Sequence, residues 1–364
     1  MNYPFRPQIL REVKSYAQHT PASMDGILDC SLGENPYGCS PEAVAAVKTY
    51  DPAHLSSYPH SPVLTEAVLR YWEGKAKLTA AELTFCQGTM EGLYKLNNLF
   101  AQAERNRVVG FIPCFTDMAV SIRHYGMEFR GVRMHLEENG QAVAQDLIEA
   151  IDEKTAFLYV DRPNNPTGQV LPLADIRALL AAAQDNGSYV IVDEAYGDFI
   201  PQEESALTLW GECDNLIVLR SFSKGFGLAD LRGGLIAASA EVTAILARLG
   251  NPYAIGEFGK HVFAAALGAA ERPDAHMEDF AAMKSALKEA CKCRLAMLET
   301  DLRAPICTLM LQEPGDLQEL LLQNGILTVS GAEFDALDER YVRLRVPVRA
   351  ELPRLLNAIR AIEG

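Results

Sequence analysis

The sequence predicts an α/β fold: a large domain on a doubly wound, mostly parallel sheet, joined to a smaller α+β domain. Three observations carry that expectation. The chain has 364 residues with 49% apolar and 22% charged side chains, the balance of a globule long enough for about two domains. Its middle contains short apolar runs without polar alternation, separated by helical patterns. Its last quarter changes to alternating stretches and long amphipathic patterns.

The apolar runs fall at 107–113, 156–160, 189–193, 216–219 and 233–238. A strand covered by helices on both faces reads as continuously apolar, so these are expected strands of a buried sheet. Between them, 173–186 (LADIRALLAAAQDN) has helical spacing and is closed by Gly187. The βα alternation spans roughly residues 50–260. Beyond it, 276–300 is expected to form one long amphipathic helix, 306–311 and 341–348 strands, and 350–362 a final helix. The expected division is a segment 1–45 packing with the small domain, a large domain 46–262 and a small domain 263–364.

Charge and cysteine content narrow the function. With 33 Lys and Arg against 48 Asp and Glu, the net charge is −15. That surplus repels nucleic-acid phosphates and anionic lipid, so neither is an expected partner. The start shows no signal-peptide pattern, and no run is apolar enough for a membrane span. The eight cysteines are scattered, and the close pair Cys291 and Cys293 has no histidine at ligand spacing. Reduced thiols in a cytoplasmic protein without a metal are the expectation.

Ligand sites in open parallel sheets gather at the carboxyl ends of the strands. Three expected strands end in polar clusters: DRPNNPTG (161–168), DEAY (193–196) and RSFSKGFGLADLRGG (220–234). Any one of them reads as an ordinary turn or helix start. Their occurrence in this order at successive strand ends points to a single site.

With SLGENPYG (31–38), SFSK with Arg232 eight residues after Lys224, and YVRLRV (341–346), nearly the whole chain resembles the pyridoxal 5′-phosphate (PLP) enzymes of fold type I. Within these class I and II aminotransferases it is most similar to the histidinol-phosphate aminotransferase and threonine-phosphate decarboxylase branch. The resemblance implies PLP as cofactor, with Lys224 as the amine that holds its aldehyde and later moves a proton. Asp193 would keep the ring nitrogen protonated, and Asn165 and Tyr196 would hydrogen-bond the ring 3′-oxygen. CQGTMEGLY (86–94) resembles the glycine turn and helix start that binds phosphate, through Gly88, Thr89 and Met90. Ser221, Ser223 and Arg232 would complete that cup, and Phe115 would stack on the pyridine face.

The same resemblance places Tyr58 against the cofactor phosphate of a second copy, implying a homodimer with shared sites. Arg343 would grip a substrate carboxylate, although Arg345 lies on the same strand face and is an alternative. Asn35 is expected beside that carboxylate. Three departures bear on substrate: Val329 in GILTV (325–329) stands where phosphate-binding members carry arginine. Cys307 replaces an expected asparagine, and PYAIGEF (252–258) lacks others. A buried phosphate without counter-charge is costly. The expected activity is therefore ping-pong transamination between an unphosphorylated α-amino acid and a 2-oxo acid. α-Decarboxylation or racemisation on the same scaffold is the alternative, and a non-catalytic PLP-binding protein a second one.

Overall fold

A computed structural model describes residues 7–11, 24–102, 104–269 and 273–364; parts of the expected N-terminal segment lie outside these. The first strand, β1 (Leu28–Asp29), precedes seven strands of one sheet: β2 (Leu83–Cys86), β3 (Arg107–Ile112), β4 (Glu128–Arg133), β5 (Thr155–Asp161), β6 (Tyr189–Glu194), β7 (Leu216–Ser221) and β8 (Gly234–Ala237). Their order is β2-β8-β7-β6-β5-β3-β4. Pairing is parallel from β7 through β4, whereas β8 runs antiparallel to both β7 and β2. The sheet is thus mostly parallel, with its reversed strand near one edge.

All five expected apolar runs are strands. Their alternate residues enter two different cores, which explains why no polar alternation is visible. Val109, Leu158, Val190 and Val218 pack with Leu64, Ile176 and Phe263 on one face. Val108, Phe157, Ile191 and Ile217 pack with Leu93, Met118 and Leu246 on the other. The helix Leu173–Asp185 ends as expected, with Gly187 at φ +68° in the left-handed region. β2 and β4 were not expected from the sequence. β4 is an edge strand whose residues are exposed or only partly buried, and β2 has four residues in an antiparallel pair.

The C-terminal part forms a four-stranded antiparallel sheet from β9 (Leu295–Met297), β10 (Ile306–Leu311), β12 (Val329–Ser330) and β13 (Tyr341–Arg345), in the order β12-β13-β10-β9. The short β11 (Ile326–Leu327) pairs in parallel with β1 and ties the N-terminal segment to this part. Its core includes Cys30, Phe280, Leu309, Val342 and Ile359, the last from the expected final helix, Leu352–Glu363.

The long helix expected over 276–300 is shorter, Met277–Ala290. Glu363 is the physical reason: its carboxylate accepts the backbone N–H groups of Lys292, Cys293, Arg294 and Leu295 at 2.8–3.1 Å. Those donors are turned away from helical partners, and together they hold the Glu363 carboxyl down to about 2 despite partial burial. From the same helix, fully buried Lys284 donates to Thr300 Oγ1 and the carbonyls of Asp301, Ala304 and Ile306 at 2.6–3.0 Å.

Two helices span the expected domain boundaries. Ala43 and Ala46 of helix Pro41–Thr49, and Val262, Phe263 and Ala266 of helix Glu257–Leu267, all enter the large-sheet core. We therefore propose boundaries nearer residues 40 and 268 than 45 and 262. Among the described residues no helix is long and apolar enough to cross a membrane, and no group of three His, Cys, Asp or Glu could hold a metal. All eight cysteines are free thiols.

Candidate active site

A cavity of about 260 Å³ opens at the carboxyl ends of β5, β6 and β7. Its lining brings together Thr89, Met90, Phe115, Asn165, Asp193, Tyr196, Ser221, Ser223, Lys224 and Arg232. Ten residues that span almost 150 positions of sequence therefore meet in one place. Lys224 Nζ lies 5.6 Å from the Tyr196 ring centroid. Lys224 and Asp193 face the same cavity.

Strand alternation decides which polar groups point here. Asp161 and Asp193 are register partners on β5 and β6, and both line the cavity. Their successors, Arg162 and Glu194, point the other way. Glu194 accepts from Arg162 at 3.3 Å and from Arg220 at 2.8 Å, and Arg220 also pairs with Asp198, all fully or almost fully buried. This network lies beneath the strand ends and leaves no charge in it unpaired.

Asp193 is 3% exposed and accepts from Tyr159 Oη at 3.0 Å and Ala195 N at 3.0 Å. Burial pushes its carboxyl up to about 6, against the pull of those two donors. Burial likewise raises the Tyr196 phenol, with Arg343 and Arg345 opposing it. A carboxylate so placed gains from any cationic group brought opposite it.

At the other end of the cavity, helix Gly88–Phe100 presents its first turn. Gly88 has φ +78°, a conformation that favours glycine, and a Cβ there would lie 2.7 Å from Arg232 Nη2, so any side chain would displace the guanidinium. Arg232 itself is held at φ +53°, an uncommon region for a residue with a side chain. Its guanidinium donates to Ala229 O at 2.8 Å and reaches Ser223 Oγ at 3.4 Å. Helix-end amides, two serine hydroxyls and a guanidinium form a cup suited to a phosphate dianion.

Four expected residues, Gly88, Arg343, Asn35 and Tyr58, do not line the cavity, nor does the alternative Arg345. Arg343 is 1% exposed and sits behind Asn165, donating to its Oδ1 at 3.3 Å and also to Ser31 O. Arg345 spends its guanidinium on the carbonyls of Leu32, Asp29 and Val346. Of the two, Arg343 is the one joined to a cavity side chain. Asn35 departs from its expected place: its amide donates to Gly225 O at 2.8 Å and it lines a neighbouring cavity with Tyr37 and His276. Tyr58 is 72% exposed and stacked on Tyr253, outside the cavity of its own chain.

The sequence reading missed Gly33, Tyr159 and Asp161, which also line the cavity. A Cβ at Gly33 would collide with the Tyr196 hydroxyl. Tyr159 carried a readable signal, as a polar-tipped residue within the otherwise apolar run 156–160.

Comparison with known proteins places the chain in a family. A model of the family "Aminotransferase class I and II" matches residues 25–359. The chain belongs to that family. This class I and II aminotransferase is 32% identical over 271 residues to a histidinol-phosphate aminotransferase of Haloquadratum walsbyi, covering 74% of the chain and 68% of the relative. It is 25% identical to one from Methanococcus maripaludis, covering 97% of each. Among solved structures, histidinol-phosphate aminotransferase from Sinorhizobium meliloti in complex with PLP superposes with TM-score 0.82 at 18% identity, covering 100% of this chain and 98% of that one. Thermus thermophilus aspartate aminotransferase with maleate gives 0.83 at 18% identity, covering 99% and 100%. The fold is fold type I, and the enzyme is a PLP-dependent transaminase.

Proposed function

We propose that this transaminase moves the amino group of an unphosphorylated α-amino acid to a 2-oxo acid in two half-reactions, with residues of one cavity holding the cofactor. When bound, PLP supplies an aldehyde that captures the amino group and a ring that takes up the electron pair released at the substrate α-carbon. Lys224 is the amine assigned to the aldehyde, and afterwards to carrying a proton to and from that carbon. Asp193 holds the proton on the ring nitrogen. Asn165 and Tyr196 hold the 3′-oxygen, and Phe115 covers a ring face. Gly88, Thr89, Met90, Ser221, Ser223 and Arg232 form the phosphate cup. Arg343 anchors the substrate carboxylate.

The observation that carries the substrate reading is a second cavity, of about 240 Å³, sharing Leu32 with the first. Val329 lines it and pairs in register with Arg343, and its other lining residues among those described include Asp29 and Glu333 but neither Lys nor Arg. Among the described residues, a phosphate dianion placed there would meet two carboxylates and no counter-charge. We further propose that the enzyme works as a homodimer. The exposure of Tyr58 (72%) and its neighbour Leu55 (71%) supports a surface covered by a second copy.

A second reading, transfer from histidinol phosphate, is favoured by the activity named for the relatives above. One assay separates the two. The purified holoenzyme is incubated with single amino acids or histidinol phosphate and with 2-oxoglutarate. A new amino acid with its oxo acid, fastest from an unphosphorylated donor, is the expected result. Faster turnover of histidinol phosphate overturns the substrate reading. Carbon dioxide release, or loss of optical activity alone, replaces transfer with decarboxylation or racemisation.

A further inference from the structure

We propose that Asp161 is a positioning residue for the cofactor: its single carboxylate locks together the two loops that carry Phe115 and Asn165. This inference rests on the assignment of the first cavity to PLP. Asp161 is 8% exposed and lies at the carboxyl end of β5. Its Oδ2 accepts the backbone N–H of Phe115 at 3.1 Å and that of Asn165 at 3.0 Å. Its Oδ1 accepts from Asn164 Nδ2 at 2.7 Å, and Asn164 Oδ1 in turn holds Thr167 through its N–H at 3.0 Å and its hydroxyl at 2.7 Å.

The two loops come from different strands, β3 and β5, and no strand pairing extends to Phe115 or Asn165. The carboxylate supplies the link that the sheet does not. Phe115 stands at the N-terminus of helix Thr116–His124, where its own side chain cannot cap, so Asp161 satisfies an amide that the helix leaves open. Asn165 N is satisfied by the same oxygen.

Three N–H donors converging on one carboxylate favour its ionised form, whereas burial and Asp193 oppose it. The titratable groups around it are Asp193, Tyr159 and Cys114. Burial raises the Asp161 carboxyl to about 7, so its charge is sensitive to what occupies the cavity. A bound cofactor with a protonated ring brings a positive charge near both aspartates. Asp161 thereby acts on the cofactor in two ways, through loop geometry and through its field.

The test is Asp161→Asn, which keeps the size and one acceptor oxygen. The new amide nitrogen would face at least one of the three donors, leaving a buried N–H without a partner. Protein stripped of cofactor is titrated with PLP, and the visible absorbance of the reconstituted protein is followed from pH 5 to 10. The variant is expected to bind PLP about tenfold more weakly. Its absorbance midpoint should fall to lower pH by about one unit, because a negative charge favouring the protonated cofactor is gone. Both quantities equal to wild type overturn the proposal, as does weaker binding with an unmoved midpoint, the pattern of a purely structural residue. Should Asp161→Asn not fold, Asp161→Ser, which offers a hydroxyl acceptor without charge, is read by the same midpoint. Failure of the wild type itself to bind PLP would instead strike the parent assignment.

Discussion

The strand ends of the large sheet and the rim formed by the small sheet meet around Lys224 and Arg343, yet they fix their polar groups by different means. On the large-sheet side, Asp193 and Asp161 are each held by backbone amides and stand in register on neighbouring strands. On the small-sheet side, Arg343 is held by Asn165 and Ser31 O, contacts that cross from one sheet to other parts of the chain. A group pinned by its own strand end tolerates changes elsewhere. A group pinned across the crossing depends on what the other side offers. In the proposed reading, the cofactor half holds its donors at strand ends, while the second cavity beside Arg343 carries Val329, Asp29 and Glu333.

The largest expected effect breaks the cofactor half outright. Lys224→Ala should lower turnover by about 10⁴-fold and remove the visible band given by lysine-bound PLP. Transamination at the wild-type rate would remove Lys224 from its assigned role. On the other half, Arg343→Leu should raise KM for carboxylate substrates about 30-fold, equivalent to ~2 kcal/mol for lost charge-assisted hydrogen bonds, with the cofactor spectrum kept. A spectrum lost along with KM would show that Arg343 serves the cofactor instead, through Asn165. Val329→Arg sharpens the comparison by restoring positive charge: binding of a phosphorylated donor should tighten about tenfold, measured by competition against the best amino acid.

The smallest expected effect concerns pH. Asp193 and Asp161, at about 6 and about 7, lie above the usual carboxylate value of 3.8 in the folded, cofactor-free protein. A raised folded value means that the native state binds the extra protons, so their stabilising contribution is complete below about pH 4 and is lost as pH rises through about 7. Cofactor-free protein should thus melt at a higher temperature at pH 6 than at pH 8. The stabilisation added by PLP should grow over the same interval, as two ionised aspartates gain a cationic neighbour. An increment independent of pH would place the cofactor's charge away from these carboxylates.

Much of this was legible before any coordinates. The five apolar runs became strands because burial on both faces leaves an unmistakable composition. The polar clusters at 161–168, 193–196 and 220–234 meet because parallel strands all end at one edge. The edge strand β4 escaped notice since EFRGVR has no face that must be apolar. Asp161 was hidden for a different reason: within DRPNNPTG it reads as one more turn residue, and only the approach of Phe115 from another strand gives it a second task. Asn35 was misplaced because a motif fixes a residue's neighbourhood but not which carbonyl its amide will choose. The helix expected through residue 300 stopped early because Glu363, some seventy positions away, captured the amides that would have continued it.

The enclosure of Lys284 has a use at the bench. Its amine is ringed by a hydroxyl and three carbonyls, and burial lowers its pKa to about 8. Deprotonated amines react with acylating reagents, but this one is sealed from solvent. Its rate of labelling is therefore a clock for opening of the helix Met277–Ala290 against the 300–306 loop, read by mass spectrometry while the exposed lysines serve as the internal standard.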